Sequence, residues 1–101
     1  MSREPKYEAV VYNGLTMPNG DTEGFVEGLT AKLVKCRKEH QCSYCGATIR
    51  KGDFAVYEKG FMDGRPVGVH DCLDCAEDYI DGWDDDAQDR WERRAEENNF
   101  L

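Results

Sequence analysis

Apolar residues in this 101-residue chain come in runs of only a few positions, and their spacing alternates between the period of a strand and that of a helix. Glu8-Ala9-Val10-Val11-Tyr12 is rich in β-formers and stops at the turn pair Asn13-Gly14, which predicts a short N-terminal strand. Met17 to Gly24, with Pro18, Asn19-Gly20 and Gly24, reads as a loop. Phe25 to Arg37 carries two patterns. Phe25, Leu29 and Leu33 recur at four-residue spacing, as on a helix, while Leu29, Ala31 and Leu33 alternate with Thr30, Lys32 and Val34, as on a strand. The alternation predicts a strand over residues 29–37.

Residues 47–53 read as a short extended piece with a turn at Gly52. Phe54 to Phe61 is the next predicted strand, Asp63-Gly64 a two-residue hairpin turn that requires positive φ, and Val67 to His70 the returning strand. Pro66 lacks an N–H for the ladder and places that strand at a sheet edge. Asp71 predicts an N-cap for a helix from Cys72 to Asp81, stopped by Gly82, with Leu73, Ala76, Ile80 and Trp83 on one face. Asp84-Asp85-Asp86 opens a second helix to about Asn98, acidic at its start and carrying Arg90, Arg93 and Arg94 toward its end, as the macrodipole favours. Asp86 with Arg90, or Asp89 with Arg93, is spaced to pair along it. Its apolar stripe, Ala87, Trp91 and Ala95, is thin.

Four of the five cysteines change this picture. Cys42-Ser43-Tyr44-Cys45 and Cys72-Leu73-Asp74-Cys75 are Cys-x-x-Cys pairs, separated by a segment long enough for a hairpin that returns the chain. Each pair brings two thiolates to one edge of a tetrahedral ion, which predicts one structural Zn²⁺ on Cys42, Cys45, Cys72 and Cys75. Gly46 lets backbone N–H groups turn toward the sulfurs. Two disulfides are the competing use of the pairs; a thioredoxin-like redox pair lacks its βαβ context. An odd cysteine count and a polar N-terminus, with no apolar run of membrane-spanning length, point to the reducing cytosol of a host cell and to no membrane. With 40% apolar residues, one domain of this size builds a modest core that a metal must supplement. The expected organisation is a single α+β domain over 1–101: an N-terminal strand and loop (1–28), a zinc-binding core (29–82) and an acidic C-terminal helix (83–101).

Knuckle, hairpin and a helix whose first turn supplies the last ligands resemble a treble-clef or zinc-ribbon finger. Arg37 to Gly46, followed by Ile49 and Lys51-Gly52-Asp53, is similar to small zinc-binding proteins of bacteriophage and mobile elements, over about residues 35 to 80. The resemblance implies the metal assignment on the four cysteines and leaves function open, since one such fold serves nucleic-acid binding, protein binding and nuclease chemistry.

Charge then divides the functional readings. The formal net charge is −8, but residues 61–101 alone carry −9, residues 29–60 carry +4, and no Lys or Arg occurs from Pro66 to Asp89. Asp74, Asp78, Asp81, Asp84, Asp85, Asp86 and Asp89, with Trp83 and Trp91 among them, form a candidate surface for a larger basic host protein. In size and charge the chain resembles small acidic phage proteins of the anti-CRISPR type, which implies a non-catalytic inhibitor or DNA mimic acting on a CRISPR or other nucleic-acid-handling complex. A solvated face that keeps the protein soluble is the plainer account of the same acids. The alternative function is a nucleic-acid-binding finger using Lys32, Lys35, Arg37, Lys38, Arg50 and Lys51 near Tyr44, Phe54 and Tyr57. A His-Asn-His-type nuclease needs histidine or asparagine on the helix after the hairpin, and the predicted helix 72–81 has neither. His40 and His70, each two residues before a cysteine, read as side chains that cap or pack beside the metal, with either able to swap into its coordination sphere, and Cys36 as a small buried hydrophobe or, with His40 and Cys42, part of another metal arrangement.

Overall fold

The computed structural model describes residues 4–17 and 27–100, and the predicted loop at 17–24 lies outside them except for Met17. Its centre is a three-stranded antiparallel sheet in the order β1 (Glu27–Lys35), β4 (Phe54–Met62), β5 (Arg65–Cys72). The alternating pattern around 29–37 does form a strand, paired from Thr30↔Lys59 to Lys35↔Phe54, with a register shift between Glu27 and Thr30. Gly28 takes φ +63° at that shift, a conformation glycine adopts without cost. Asp63 and Gly64, at φ +53° and +77°, close the β4–β5 hairpin between the paired residues Met62 and Arg65. Strand β5, with Pro66, is an edge as expected.

A second ladder of two short strands, β2 (His40–Gln41) and β3 (Thr48–Ile49), carries the first cysteine pair. It is joined to the edge of β5 by a parallel bridge, Cys42↔His70, with Ser43 N–H donating to His70 O at 2.9 Å. Helices α2 (Leu73–Ile80) and α3 (Asp85–Glu97) complete the chain. The core is made of small side chains around a few large ones: Ala31, Ala55, Ala76 and Ala95 with Tyr12, Met17, Ile49, Val56, Leu73 and five cysteines, four of them buried.

Two expectations fail here. Residues Ala9–Asn13 form a single helical turn, α1, and not a strand. Tyr12 decides this: it is fully buried, and its hydroxyl bonds Glu77 Oε2 at 2.7 Å, while Val10 and Val11, the β-formers, stay exposed. The outer edge of β1 receives a side chain in place of a strand, Asn13 Oδ1 accepting from Leu33 N–H at 2.8 Å. Asp71 does not cap α2 either. It remains in the sheet opposite Val56, fully buried, and Cys72 occupies the cap position with no side-chain cap bond. Helix α3 follows expectation: Asp84 Oδ1 accepts from Ala87 N–H at 2.8 Å, and Asn99, at φ +54°, ends the helix with Phe100 N–H on Ala95 O and Asn99 N–H on Glu96 O, a Schellman closure.

Candidate metal centre

The turn between β2 and β3 is folded onto its own first cysteine. Cys42 N–H donates to Ala47 O at 2.8 Å, Gly46 N–H to Cys42 O at 2.9 Å, and Tyr44 N–H points at Cys42 Sγ at 3.3 Å. Gly46 has two reasons to be glycine: φ is +77°, and a Cβ there would lie 2.8 Å from the Phe100 ring. Strand β5 delivers Cys72 at its last position and α2 delivers Cys75 one turn later. Cys72 N–H also points at Cys42 Sγ, at 3.3 Å, so that sulfur faces two backbone donors before any ion is considered.

The four sulfurs gather as the spacing predicts, all within 4.8 Å of one another, and the cysteines are free thiols. Cys42 Sγ lies 3.9 Å from Cys75 Sγ, and Cys45 Sγ 3.7 Å from Cys72 Sγ. A tetrahedral ion with sulfur bonds of about 2.3 Å requires an edge of about 3.8 Å, which two opposite edges of the donor set match. These distances are also far beyond the roughly 2.05 Å of a disulfide. Thiols this close cannot titrate independently. Hydrogen bonds from Cys42, Cys72 and Cys75 hold Cys45 well below the usual thiol range, while those with Cys42 and Cys45 push Cys75 up. A cation held by the four cysteines would resolve the conflict by replacing the protons.

The structure adds residues that spacing does not reveal. Arg94 Nη2 lies 3.4 Å from Cys75 Sγ and 3.2 Å from Asp78 Oδ2. Burial disfavours the Arg94 charge, but the hydrogen bond to Cys75 and the charges of Cys75 and Cys72 outweigh it and raise its pKa. Arg90 Nη2 binds the other Asp78 oxygen at 3.0 Å, so α3 is clamped on α2 by one carboxylate and two arginines. The expected Asp86–Arg90 and Asp89–Arg93 pairs give way to this: Arg90 reaches across to Asp78, and Arg93 Nε reaches only the Asp89 backbone oxygen. Trp91 Nε1–H donates to Tyr44 O at 2.7 Å, and the Trp83 and Trp91 rings meet Tyr44 edge-on. Ala87, Trp91, Arg94 and Ala95 lie on one face of α3, and the arginine on an otherwise apolar stripe is the signal that was available in the sequence.

The candidate acidic surface therefore divides. Asp78 is taken by Arg90 and Arg94, Asp81 by Lys6 Nζ at 2.8 Å and the Tyr7 hydroxyl, and Asp84 by its cap. Asp74, Asp85, Asp86 and Asp89 are exposed. Neither tryptophan is fully exposed: both are half-buried on Tyr44, and Trp83 Nε1–H donates to Gln88. Lys32, Lys35, Arg37, Lys38, Arg50 and Lys51 are all exposed. Cys36 N–H on Asp53 O and Gly52 N–H on Cys36 O tie the turn after β1 to the turn after β3, which brings Arg37, Lys38, Arg50 and Lys51 to one end. Lys35 Nζ sits 5.9 Å above the Phe54 ring. His40 and His70 stand outside the four-sulfur group, stacked on each other with Cys36 beside them.

A buried carboxyl pair also lies beneath the site. Glu58 accepts from Met17 N–H and Asp71 from Ser43 Oγ, both at 2.7 Å, while Glu58 Oε2 and Asp71 Oδ2 are buried with no other partner. Burial, and then the neighbouring Asp71, push Glu58 up to about 9, so it keeps its proton at neutral pH. No protein-family model matches the chain, and neither curated proteins nor solved structures give a match. No helix among the described residues is long and apolar enough to cross a membrane.

Proposed function

We propose that this chain is a non-catalytic, zinc-stabilised binding protein that engages a larger basic partner through the acidic face of α3, in the manner of an inhibitor of a nucleic-acid-handling complex. Zn²⁺ on Cys42, Cys45, Cys72 and Cys75 is the reading of the metal, because four thiolates at a tetrahedral edge suit its borderline-soft, geometry-tolerant chemistry. Knuckle, hairpin and helix in this order make the core treble-clef-like. The observation that carries the functional reading is the sorting of charge on α3. Arg94 turns inward to Asp78 and the Cys75 sulfur and Arg90 reaches across to Asp78, while Asp85, Asp86, Asp89, Glu92, Glu96 and Glu97, with Arg93 as the one cation among them, face solvent. Negative charges on a rigid rod attract a channel lined with Lys and Arg and compete there with a phosphate backbone.

Replacing Asp85, Asp86 and Asp89 by Lys tests this, with Asp84 left in place because it caps the helix. A host protein retained by the wild-type chain, displaced by duplex DNA and lost with the variant at unchanged metal content supports the reading. Equal retention by the variant rejects it. Nucleic-acid binding is the second reading, favoured by the convergence of Arg37, Lys38, Arg50 and Lys51 through the Cys36 backbone contacts. Salt-sensitive retardation of labelled DNA or RNA, lost on replacing those four by Ala, would put it first.

A further inference from the structure

We propose a second metal site, separate from the four-cysteine centre and independent of the acidic face: Cys36, His40 and His70 bind a zinc ion with three protein ligands. The Cys36 sulfur and a nitrogen of each imidazole lie within 4.8 Å of one another. Cys36 is 5% exposed, and both histidines are half-buried. None of the three side chains has a hydrogen-bond partner among the described residues. Two imidazoles stacked with centroids 3.6 Å apart and left without partners, beside a buried thiol, bring three metal-binding side chains together with no other use.

The fold builds this arrangement deliberately from distant segments. The bridge Cys42↔His70 and the pairing His40↔Ile49 hold the two histidines two residues before the two cysteine pairs, so the same backbone turns present both donor sets. Tyr57, opposite His70 in the ladder, stacks on that ring at 4.7 Å, and Gly68 leaves it room, since a Cβ there would meet the Tyr57 hydroxyl at 2.4 Å. That fixes the His70 ring as a supporting residue fixes a ligand. One thiolate and two neutral imidazoles are a zinc donor set; because an imidazole binds a metal in the plane of its ring, His40 turns out of the stack, with His70 held by Tyr57, for both nitrogens to share one ion. Three protein ligands leave a fourth position. Water is the natural occupant of that position, and the two histidines border an open hollow of about 480 Å³ together with Ser43, Asn98 and Phe100.

Metal stoichiometry decides the proposal. The full chain, equilibrated with excess Zn²⁺, passed through a desalting column and analysed by mass spectrometry of the element, should retain two zinc ions per chain. Cys36→Val, His40→Gln and His70→Gln should each retain one, with the far-ultraviolet circular dichroism of the wild type, because the four-cysteine centre is untouched. Cobalt loading should give the wild type a thiolate-to-cobalt charge-transfer contribution that Cys36→Val lacks. One zinc per wild-type chain at saturation overturns the site whatever the variants do, and so do two zinc ions retained by all three variants.

Discussion

Arg94 is where the metal centre and the C-terminal helix become one structure, and its replacement by Met measures that connection. The side chain is 17% exposed and makes two ionic contacts, to Cys75 Sγ at 3.4 Å and to Asp78, itself 13% exposed, at 3.2 Å. A charge-assisted hydrogen bond to a buried sulfur contributes about 1.5–3 kcal/mol, and the shared contact with Asp78 about 1 kcal/mol more, since Arg90 still holds that carboxylate. Against this, Met removes a buried guanidinium whose Nε has no partner, an orphan that costs about 1–3 kcal/mol. The net expectation is a loss of about 1–1.5 kcal/mol. For a domain of this size each kcal/mol moves the midpoint about 4–8 °C, so Arg94→Met should melt roughly 4–12 °C lower at fixed free zinc. Arg90→Met is the control: its partner is the same Asp78, but the side chain is 46% exposed, and the change should cost less than about 1 kcal/mol. Thermal unfolding followed by circular dichroism reads both. If the two variants melt together, or Arg94→Met melts with the wild type, the sulfur contact contributes nothing to holding α3.

Two further outcomes follow from the same geometry. Stripping the metal with a chelator should remove on the order of 10 kcal/mol of apparent folding free energy and abolish the cooperative transition, restored by zinc and followed by near-ultraviolet circular dichroism of the Tyr44, Trp83 and Trp91 cluster. Glu58, pushed up to about 9, binds a proton in the folded chain that the unfolded chain releases above about 4.5, so its contribution makes stability fall as pH rises through that interval. Glu58→Gln should therefore gain on the wild type between pH 7 and 9 in denaturant titrations at fixed free zinc; a constant difference across that range would show that Glu58 is ionised throughout.

Elements whose cues are local were legible in the chain. Asp63-Gly64 fixes the β4–β5 turn because two consecutive positive φ values suit few other residues, and the acidic run from Asp84 marks the start of α3. Strand β1 was legible once alternation was preferred to the four-residue spacing. The N-terminal turn was not: Val10 and Val11 favour a strand, but the outcome depends on Tyr12 reaching Glu77, 65 residues away, and on Asn13 occupying the edge where a strand would pair. Asp71 looks like a cap beside a helix start, and becomes a sheet residue because its side chain is drawn inward to Ser43 and Glu58. The ligand cysteines announce themselves by spacing. The residues that embed them, Arg94, Trp91 and Tyr44, depend on how α3 docks, and the His40–His70 stack depends on one bridge between segments some thirty residues apart.

The composition of the core explains why so much converges on the sulfurs. Ala31, Ala55, Ala76 and Ala95 bury little area each, and beside the four-cysteine cluster the larger buried apolar side chains among the described residues are Ile49, Val56, Leu73, Met17 and Tyr12. At about 25 cal/mol per Å² such side chains offset little of the ordering entropy, which is the deficit that the proposed coordination would offset. Helix α3 is the extreme case. With Ala87 and Ala95 as its fully buried residues, it is fixed through Trp91 on the knuckle backbone and Arg94 on a ligand sulfur. The face that Asp85, Asp86 and Asp89 present is rigid only while the centre beneath it is intact. Metal content and partner affinity should then change together, and a charge-reversed α3 should separate them, because its outward acids touch neither sulfur nor core.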